Sequence, residues 1–404
     1  MKYLVAVDNC FLDAPGGMGR VAWDIAELMR DRGHQVAMVA ARPKPGAEPP
    51  RLSTEQGVRI ARYSRPVLPA WHPLRGHRFA AAARAATRRY LANERWDVVH
   101  MHSPFTGAGV LDALGDQPRY VYTLHSPTVM EQQINWANQG AVGRLKMLVG
   151  LRALQRVERK VLQPCAEIHT LSEFSRGKVE QFHGLGARVQ VVPYWRRPEL
   201  KRRHSQGEAR RLLGWPADER LLLTVRKLGP RYGLDVAIRA VAPLAAAGRC
   251  ALVLAGDGPL RTELRELARS LQVGERVRFV GRLDEAQLAL AYEAADLFVL
   301  PTRALECFGL IIIEALAFGC PVLSTDAGAI PEMMRDILPE FVVPAGDVQA
   351  LREKIARFLS GALVAPPPDA LLAHVDRHFG KEMVTARIAS LLEGTGPQED
   401  RDVA

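Results

Sequence analysis

"LECFGLIIIEALAFGCPVL", residues 305–323, sets one carboxylate just ahead of a glycine and a second in the middle of an oily run. Glu314 sits among Leu310, Ile311, Ile312, Ile313, Leu316 and Phe318, eight positions after Glu306. A carboxylate on an apolar segment is costly unless something pairs with it, so a salt bridge or a ligand is expected. Three consecutive isoleucines pull toward strand, yet Glu-Ala-Leu-Ala follows and Gly319 punctuates the run before "CPVLST" (320–325). The pattern predicts a helix from about Phe308 to Phe318. Its free backbone N–H groups and positive dipole end suit a phosphate. At about 1.5 Å per helical residue the two carboxylates lie roughly 12 Å apart, a span that fits the two ends of a nucleotide sugar. Carboxylates accept well from hydroxyls. Two structural salt bridges are the plain alternative.

Outward from this stretch, short apolar runs alternate with helical patterns. "RLLLTV" (220–225), "CALVLAG" (250–256), "RVRFVG" (276–281), "DLFVLP" (296–301) and "CPVLST" form one series of buried strands; "YLVAVD" (3–8), "QVAMVA" (35–40), "DVVHMH" (97–102) and "YVYTLH" (120–125) form an earlier one. "GRVAWDIAELMRDRG" (19–33) reads as an amphipathic helix between the first two strands of the chain. Strand, helix, strand repeated this way implies parallel sheets with right-handed crossovers. The fold class expected is α/β, with two Rossmann-like doubly wound domains facing across a cleft. They span residues 1–195, completed by a C-terminal helix at about 376–393, and 196–375. Residues 394–404 are expected to be a disordered tail. Carboxyl ends of such strands surround a ligand crevice.

Composition narrows the class. At 404 residues the chain exceeds one ordinary core. Its 48% hydrophobic and 24% charged content fits a soluble globular protein. Cys10, Cys165, Cys250, Cys307 and Cys320 form no C-x-x-C pair, and the first segment lacks a signal-peptide run, so a reducing, cytoplasmic setting is expected. The 54 Lys and Arg against 44 Asp and Glu favour anionic partners.

"PTRALECFGLIIIEALAFGCPVLSTDAGAIPEMM" (301–334) resembles the E-x7-E signature of the GT-B retaining glycosyltransferases of family 4 (glycosyl transferases group 1). The likeness extends through "LAGDGPLRTEL" (254–264), "VRFVGRL" (277–283) and "AYEAADLFVLP" (291–301). In the first half it includes "DAPGGMGR" (13–20), "GHQVAMVA" (33–40), "DVVHMHSP" (97–104), "YTLHSP" (122–127) and "TLSEFSR" (170–176). The resemblance implies retaining transfer of a sugar from a nucleoside-diphosphate sugar, of UDP or GDP type, without a metal or other cofactor. The acceptor would be a glycan, a lipid-linked glycan or a small molecule held by the N-terminal domain, and no nucleic-acid partner is implied. By the same resemblance Glu306 contacts donor-sugar hydroxyls, Glu314 the ribose, and the N–H groups of Phe308, Gly309 and Leu310 the diphosphate. Gly17 allows close backbone approach, and His125 lies beside the donor sugar.

Departures from the family pattern shape the expectations. In "TVRKLGPRYGLDV" (224–236) Lys227 stands at the usual arginine and Tyr232 at the usual lysine, so Arg231 is the candidate second cation and Arg226 is expected to face away if strand alternation persists. Tyr194 and Trp195 in "VVPYWRRPEL" replace small residues. His100 and His102 share a strand face, which leaves a metal pair or crevice lining open. The D-x-D pair Asp400 and Asp402 lies in the tail. "GMGRVA" fits a dinucleotide fingerprint, but eight residues separate it from the strand and no ribose-binding acid follows the second strand. A nucleotide-sugar epimerase and a non-catalytic sugar-nucleotide binder are the other readings. Finally, "GRLKMLVGLRALQRVERKVL" (143–162) carries six Lys and Arg against Glu158 on a helical pattern. It reads either as a solvated helix or as a peripheral contact with the inner face of a membrane.

Overall fold

The computed structural model describes residues 1–14, 16–46, 48–68, 72, 74–137 and 140–395. Residues 396–404 of the expected tail, with Asp400 and Asp402, lie outside them. The chain divides into two compact units, Met1–Tyr194 with Glu382–Ala404, and Trp195–Lys381.

In the second unit the strands are β9 (Leu221–Val225), β10 (Ala251–Ala255), β11 (Val277–Gly281), β12 (Leu297–Leu300), β13 (Val322–Thr325) and β14 (Val342–Val343). They are all parallel, in the order β11-β10-β9-β12-β13-β14. "ALVLA", "LFVL" and "VLST" are buried throughout, as a parallel sheet covered on both faces requires. Progression across the sheet reverses between β9 and β12. Ligands of doubly wound sheets collect outside the carboxyl ends at such a reversal.

The first unit holds β1 (Lys2–Val7), β2 (Gln35–Pro45), β3 (Arg51–Glu55), β4 (Val58–Arg65), β5 (Val98–Met101), β6 (Arg119–Leu124), β7 (Glu167–Thr170) and β8 (Val189–Val191). Their order is β3-β4-β2-β1-β5-β6-β7-β8, with reversal between β1 and β5. Only β3 and β4 are antiparallel among the described strands. Gln56 (φ 49°) and Gly57 (φ 80°) turn that hairpin, both residues taking the positive φ of a two-residue type I′ loop. Arg62 of β4 is buried against Asp13 at 2.7 Å and Glu55 at 2.6 Å.

The C-terminal segment differs from the single helix expected at 376–393. Two helices form, Pro368–Phe379 and Lys381–Glu393. The first belongs to the second unit and the second to the first. Arg119 donates to the carbonyls of Leu391 (2.9 Å) and Leu392 (2.8 Å), and Arg32 pairs with Glu393 at 2.8 Å. The unit boundaries therefore fall at 194/195 and 381/382.

Candidate active site

Chain reversal in the second unit brings the residues after β9 beside those after β12. Arg226 is the first residue past β9, and its guanidinium pairs with Glu306 and donates to the Thr302 hydroxyl at 3.3 Å. The expectation that Arg226 faces away is corrected here. Strand alternation stops at Val225: Arg226 N bonds to the Ala255 carbonyl at 2.9 Å, after which Leu228 N bonds to that of Asp257 at 3.1 Å, and the backbone turns. Both members of the pair are largely buried, with side chains 13% and 14% exposed. The Arg226 guanidinium lies 5.0 Å from the Tyr232 ring centroid, and that of Arg231 4.8 Å from it. Arg231 also donates to the Tyr232 hydroxyl at 2.9 Å. Tyr232 is thus a shared aromatic seat for two cations, an arrangement favoured by the negative face of the ring. Lys227 is exposed, with no hydrogen bond or ion pair among the described residues.

Backbone contacts lock the pair. A Cβ on Gly256 would fall 1.9 Å from the Arg226 carbonyl oxygen, and one on Gly328 2.1 Å from that of Glu306. Only glycine admits such approaches. Ala329 N donates to the Glu306 carbonyl at 2.7 Å. Leu305, just before Glu306, sits at φ 61°, a conformation costly for a branched side chain and retained where surroundings impose it.

The helix runs Leu310–Ala317, with Gly309 as N-cap at φ 93°. No acceptor meets the N–H groups of Phe308, Gly309 or Leu310 among the described residues. Phe308 is buried edge-on against Phe379. Among the described residues Glu314 forms no salt bridge, and the Tyr292 hydroxyl donates to it at 3.0 Å. Tyr292 is itself fixed by stacking on Phe318 (5.7 Å, 11°). Burial, the larger effect, lifts the Glu314 carboxyl above its ordinary range, and the Tyr292 hydrogen bond opposes the lift. A hydroxylated ligand held by Glu314 therefore binds with an affinity that falls on acidification, with a midpoint above that of an ordinary glutamate. Tyr292→Phe is expected to move that midpoint upward when nucleoside-diphosphate affinity is titrated against pH by calorimetry; an unmoved midpoint would contradict the pairing.

In the first unit, His125 follows β6 and is half-buried. Its Nε2 lies 2.9 Å from His102 Nδ1, and His102 Nε2 lies 3.3 Å from His100 Nδ1. His100 Nε2 meets Thr123 Oγ1 at 2.6 Å, and Thr123 Oγ1 meets His169 Nδ1 at 2.9 Å. His100 and His102 are buried, with their ring nitrogens taken up internally, so neither the metal pair nor crevice lining describes them. Among the described residues no group of three His, Cys, Asp or Glu is placed to hold a metal. Gly17, first residue of the helix Gly17–Asp31, is exposed. The tight approach in that loop is at Gly19, where a Cβ would fall 2.8 Å from the Asn9 carbonyl oxygen.

Two family models match the chain, a glycosyl transferase 4-like domain over residues 16–195 and glycosyl transferases group 1 over 205–368. The chain belongs to the group 1 glycosyltransferases. Among relatives of this GT-B family is a phosphatidyl-myo-inositol mannosyltransferase of Mycobacterium leprae, 28% identical over 390 residues, 94% of each chain. The fold matches sucrose-phosphate synthase of Thermosynechococcus elongatus (TM-score 0.80, 22% identity, 97% of this chain and 98% of that one). It also matches Anabaena HepE solved with UDP and glucose (TM-score 0.74, 18% identity, 98% and 100%).

Within this glycosyltransferase the structure brings Glu306, Phe308, Gly309, Leu310 and Glu314 onto one segment, with Arg231 beside Tyr232. Sequence reasoning missed Arg226, Tyr292 and His169. "RKLG" gave no sign that the first cation, rather than the second, turns inward. Tyr292 entered only within "AYEAADLFVLP", part of the family likeness, with no sign of its partner. Tyr194, noted as a departure, is buried and donates its hydroxyl to Asp24.

Proposed function

We propose that this glycosyltransferase transfers a sugar from a nucleoside-diphosphate sugar, of UDP or GDP type, to an acceptor hydroxyl with retention at the anomeric carbon. The observation that carries the reading is the Arg226–Glu306 pair seated on Tyr232, next to the N–H groups of Phe308, Gly309 and Leu310, which meet no acceptor among the described residues. When the glycosidic C–O bond breaks, its electron pair passes to the departing diphosphate. N–H groups at a helix start and a guanidinium in a dry setting stabilise that charge more than the ground state. Glu306 accepts from donor-sugar hydroxyls and Glu314 from the ribose. Lys227, exposed at the same strand end, adds a solvent-side cation for the phosphates. The likeness of the E-x7-E segment to family 4 supports retention, and HepE, a fold neighbour, was solved with UDP and glucose.

Phosphate charge in this scheme is met by protein groups alone. Turnover is therefore expected to persist in excess EDTA; loss of activity that added Mg²⁺ restores would overturn the metal-free part of the reading.

A lipid-linked acceptor is the form we favour. The helix Gly140–Leu162 exposes Val142, Leu145 and Leu148 by 59%, 64% and 67%, and Arg144, Arg152, Arg156, Arg159 and Lys160 are exposed along the same helix. Exposed apolar side chains among cations suit the surface of an anionic bilayer. No helix of the described residues is long and apolar enough to cross a membrane, so contact would be peripheral. The full chain should sediment with phosphatidylglycerol vesicles in a salt-sensitive manner, and Leu145→Ser with Leu148→Ser should abolish this; sedimentation equal to that with neutral vesicles would remove the membrane contact.

A further inference from the structure

Four buried or half-buried histidines, one threonine and one tyrosine of the first unit form an unbroken hydrogen-bonded chain whose sense can be worked out from its one fixed end. His169 Nε2 lies 2.8 Å from the Val192 carbonyl oxygen. A carbonyl only accepts, so His169 Nε2 carries hydrogen. Burial keeps His169 neutral, its pKa down at about 4, so its Nδ1 is a bare acceptor. Thr123 must then donate its hydroxyl hydrogen to His169 Nδ1 (2.9 Å), and its oxygen must accept from His100 Nε2 (2.6 Å). His100, also held neutral by burial, presents a bare Nδ1. The Tyr3 hydroxyl donates to that nitrogen at 2.5 Å. His102 Nε2 faces the same lone pair at 3.3 Å; a second lone pair there would be repulsive in so dry a place, so His102 Nε2 carries hydrogen. His102 Nδ1 is consequently bare, and it accepts from His125 Nε2 at 2.9 Å.

We infer that His102, His100, Thr123 and His169 are positioning residues that fix the tautomer of His125, leaving its Nδ1 as a neutral hydrogen-bond acceptor toward a sugar hydroxyl. The inference rests on the proposed sugar transfer only for the identity of that hydroxyl. His125 then serves neither as a cation for the diphosphate nor as a proton donor. Burial holds its pKa at about 3, in keeping with an imidazole that stays neutral through the working range. Stacking of the His102 and His125 rings (5.2 Å, 26°) fixes the orientation as the hydrogen bond fixes the proton.

Long-range ¹H–¹⁵N correlation spectra of the full chain labelled at histidine nitrogen read the tautomer directly, whether or not the chain transfers sugar. The wild type is expected to show His125 protonated at Nε2 and bare at Nδ1. Thr123→Val cuts the chain with little change in shape and should give mixed tautomers at His125. His102→Leu should do the same, with kcat about tenfold lower and donor KM within about twofold. His102→Gln should restore both, since its amide oxygen accepts from His125 while its amide nitrogen donates to His100. A proton on His125 Nδ1 in the wild type overturns the inference, as does a tautomer unchanged in both Thr123→Val and His102→Leu.

Discussion

Arg226→Ala is expected to lower kcat by about 100-fold, close to 2.7 kcal/mol of transition-state stabilisation. Two losses combine in that variant. In the proposed reaction the departing diphosphate loses a guanidinium held beside Glu306. Glu306 is left as a largely buried carboxylate without the cation that holds it in place, a costly state that loosens its grip on sugar hydroxyls. Glu306→Gln alone should cost more than tenfold, since the amide keeps the shape but not the charge. Because the two residues act as one unit, the double variant should be less than additive. Lys227→Ala should raise donor KM more than it lowers kcat, as expected of an exposed cation that steers and binds. Glu314→Gln should chiefly weaken nucleotide binding. Steady-state kinetics on the wild type and the five variants decide the matter: wild-type turnover in Arg226→Ala, or strict additivity with Glu306→Gln, would contradict the pair's role.

Acid should unfold the first unit well before ordinary carboxylate protonation does. His100 and His102 are pushed well below the ordinary imidazole range by burial, His125 to about 3 and His169 to about 4. The unfolded chain takes up these protons near pH 6.5 and the folded unit does not. A histidine depressed in the folded state thus contributes stability above its unfolded pKa that is lost as pH falls below about 6.5. With four such groups the slope approaches about 5 kcal/mol per pH unit, against a total stability of roughly 5–15 kcal/mol for a typical domain. Glu55 and Glu94, whose carboxyls are lowered by hydrogen bonds from Arg62 and Arg59, add their losses only at lower pH. Calorimetric scans should show the first unit's Tm dropping steeply between pH 6.5 and pH 4.5; a flat Tm over that interval would mean the buried histidines titrate together with a compensating group.

The central strands of both sheets, β1, β2, β5, β6 and β9 to β13, were legible because burial on two faces leaves unbroken apolar runs such as "LLLTV" and "ALVLA", whereas the short edge strands β8 and β14 were not. The β3–β4 hairpin was not, because Arg59 and Arg62 interrupt its pattern and its turn is Gln-Gly rather than Asn-Gly. β7, "EIHT", was hidden by its histidine, whose burial is made tolerable only by Thr123 and the Val192 carbonyl, partners distant in sequence. Glu306 and Glu314 stood out as carboxylates in an oily context, but their protein partners did not. Arg226 reaches Glu306 across 80 residues, and Tyr292 reaches Glu314 across 22. Direction after a strand's last residue is set by neighbouring backbone, here Gly256 against the Arg226 carbonyl, and periodicity carries no trace of it.

The proposed retaining transfer from a nucleoside-diphosphate sugar at the site around Arg226, Glu306 and Glu314 can be followed directly. Proton NMR of the full chain incubated with UDP- and GDP-sugars, together with a lipid-linked or small polyol acceptor, follows donor consumption, nucleotide release and the anomeric configuration of the product at once. The expected result is release of nucleoside diphosphate from one donor, with the product sugar in the donor's own anomeric configuration. An inverted product, or a 2-epimer released without an acceptor, would contradict it, as would donors that bind and are neither transferred nor hydrolysed.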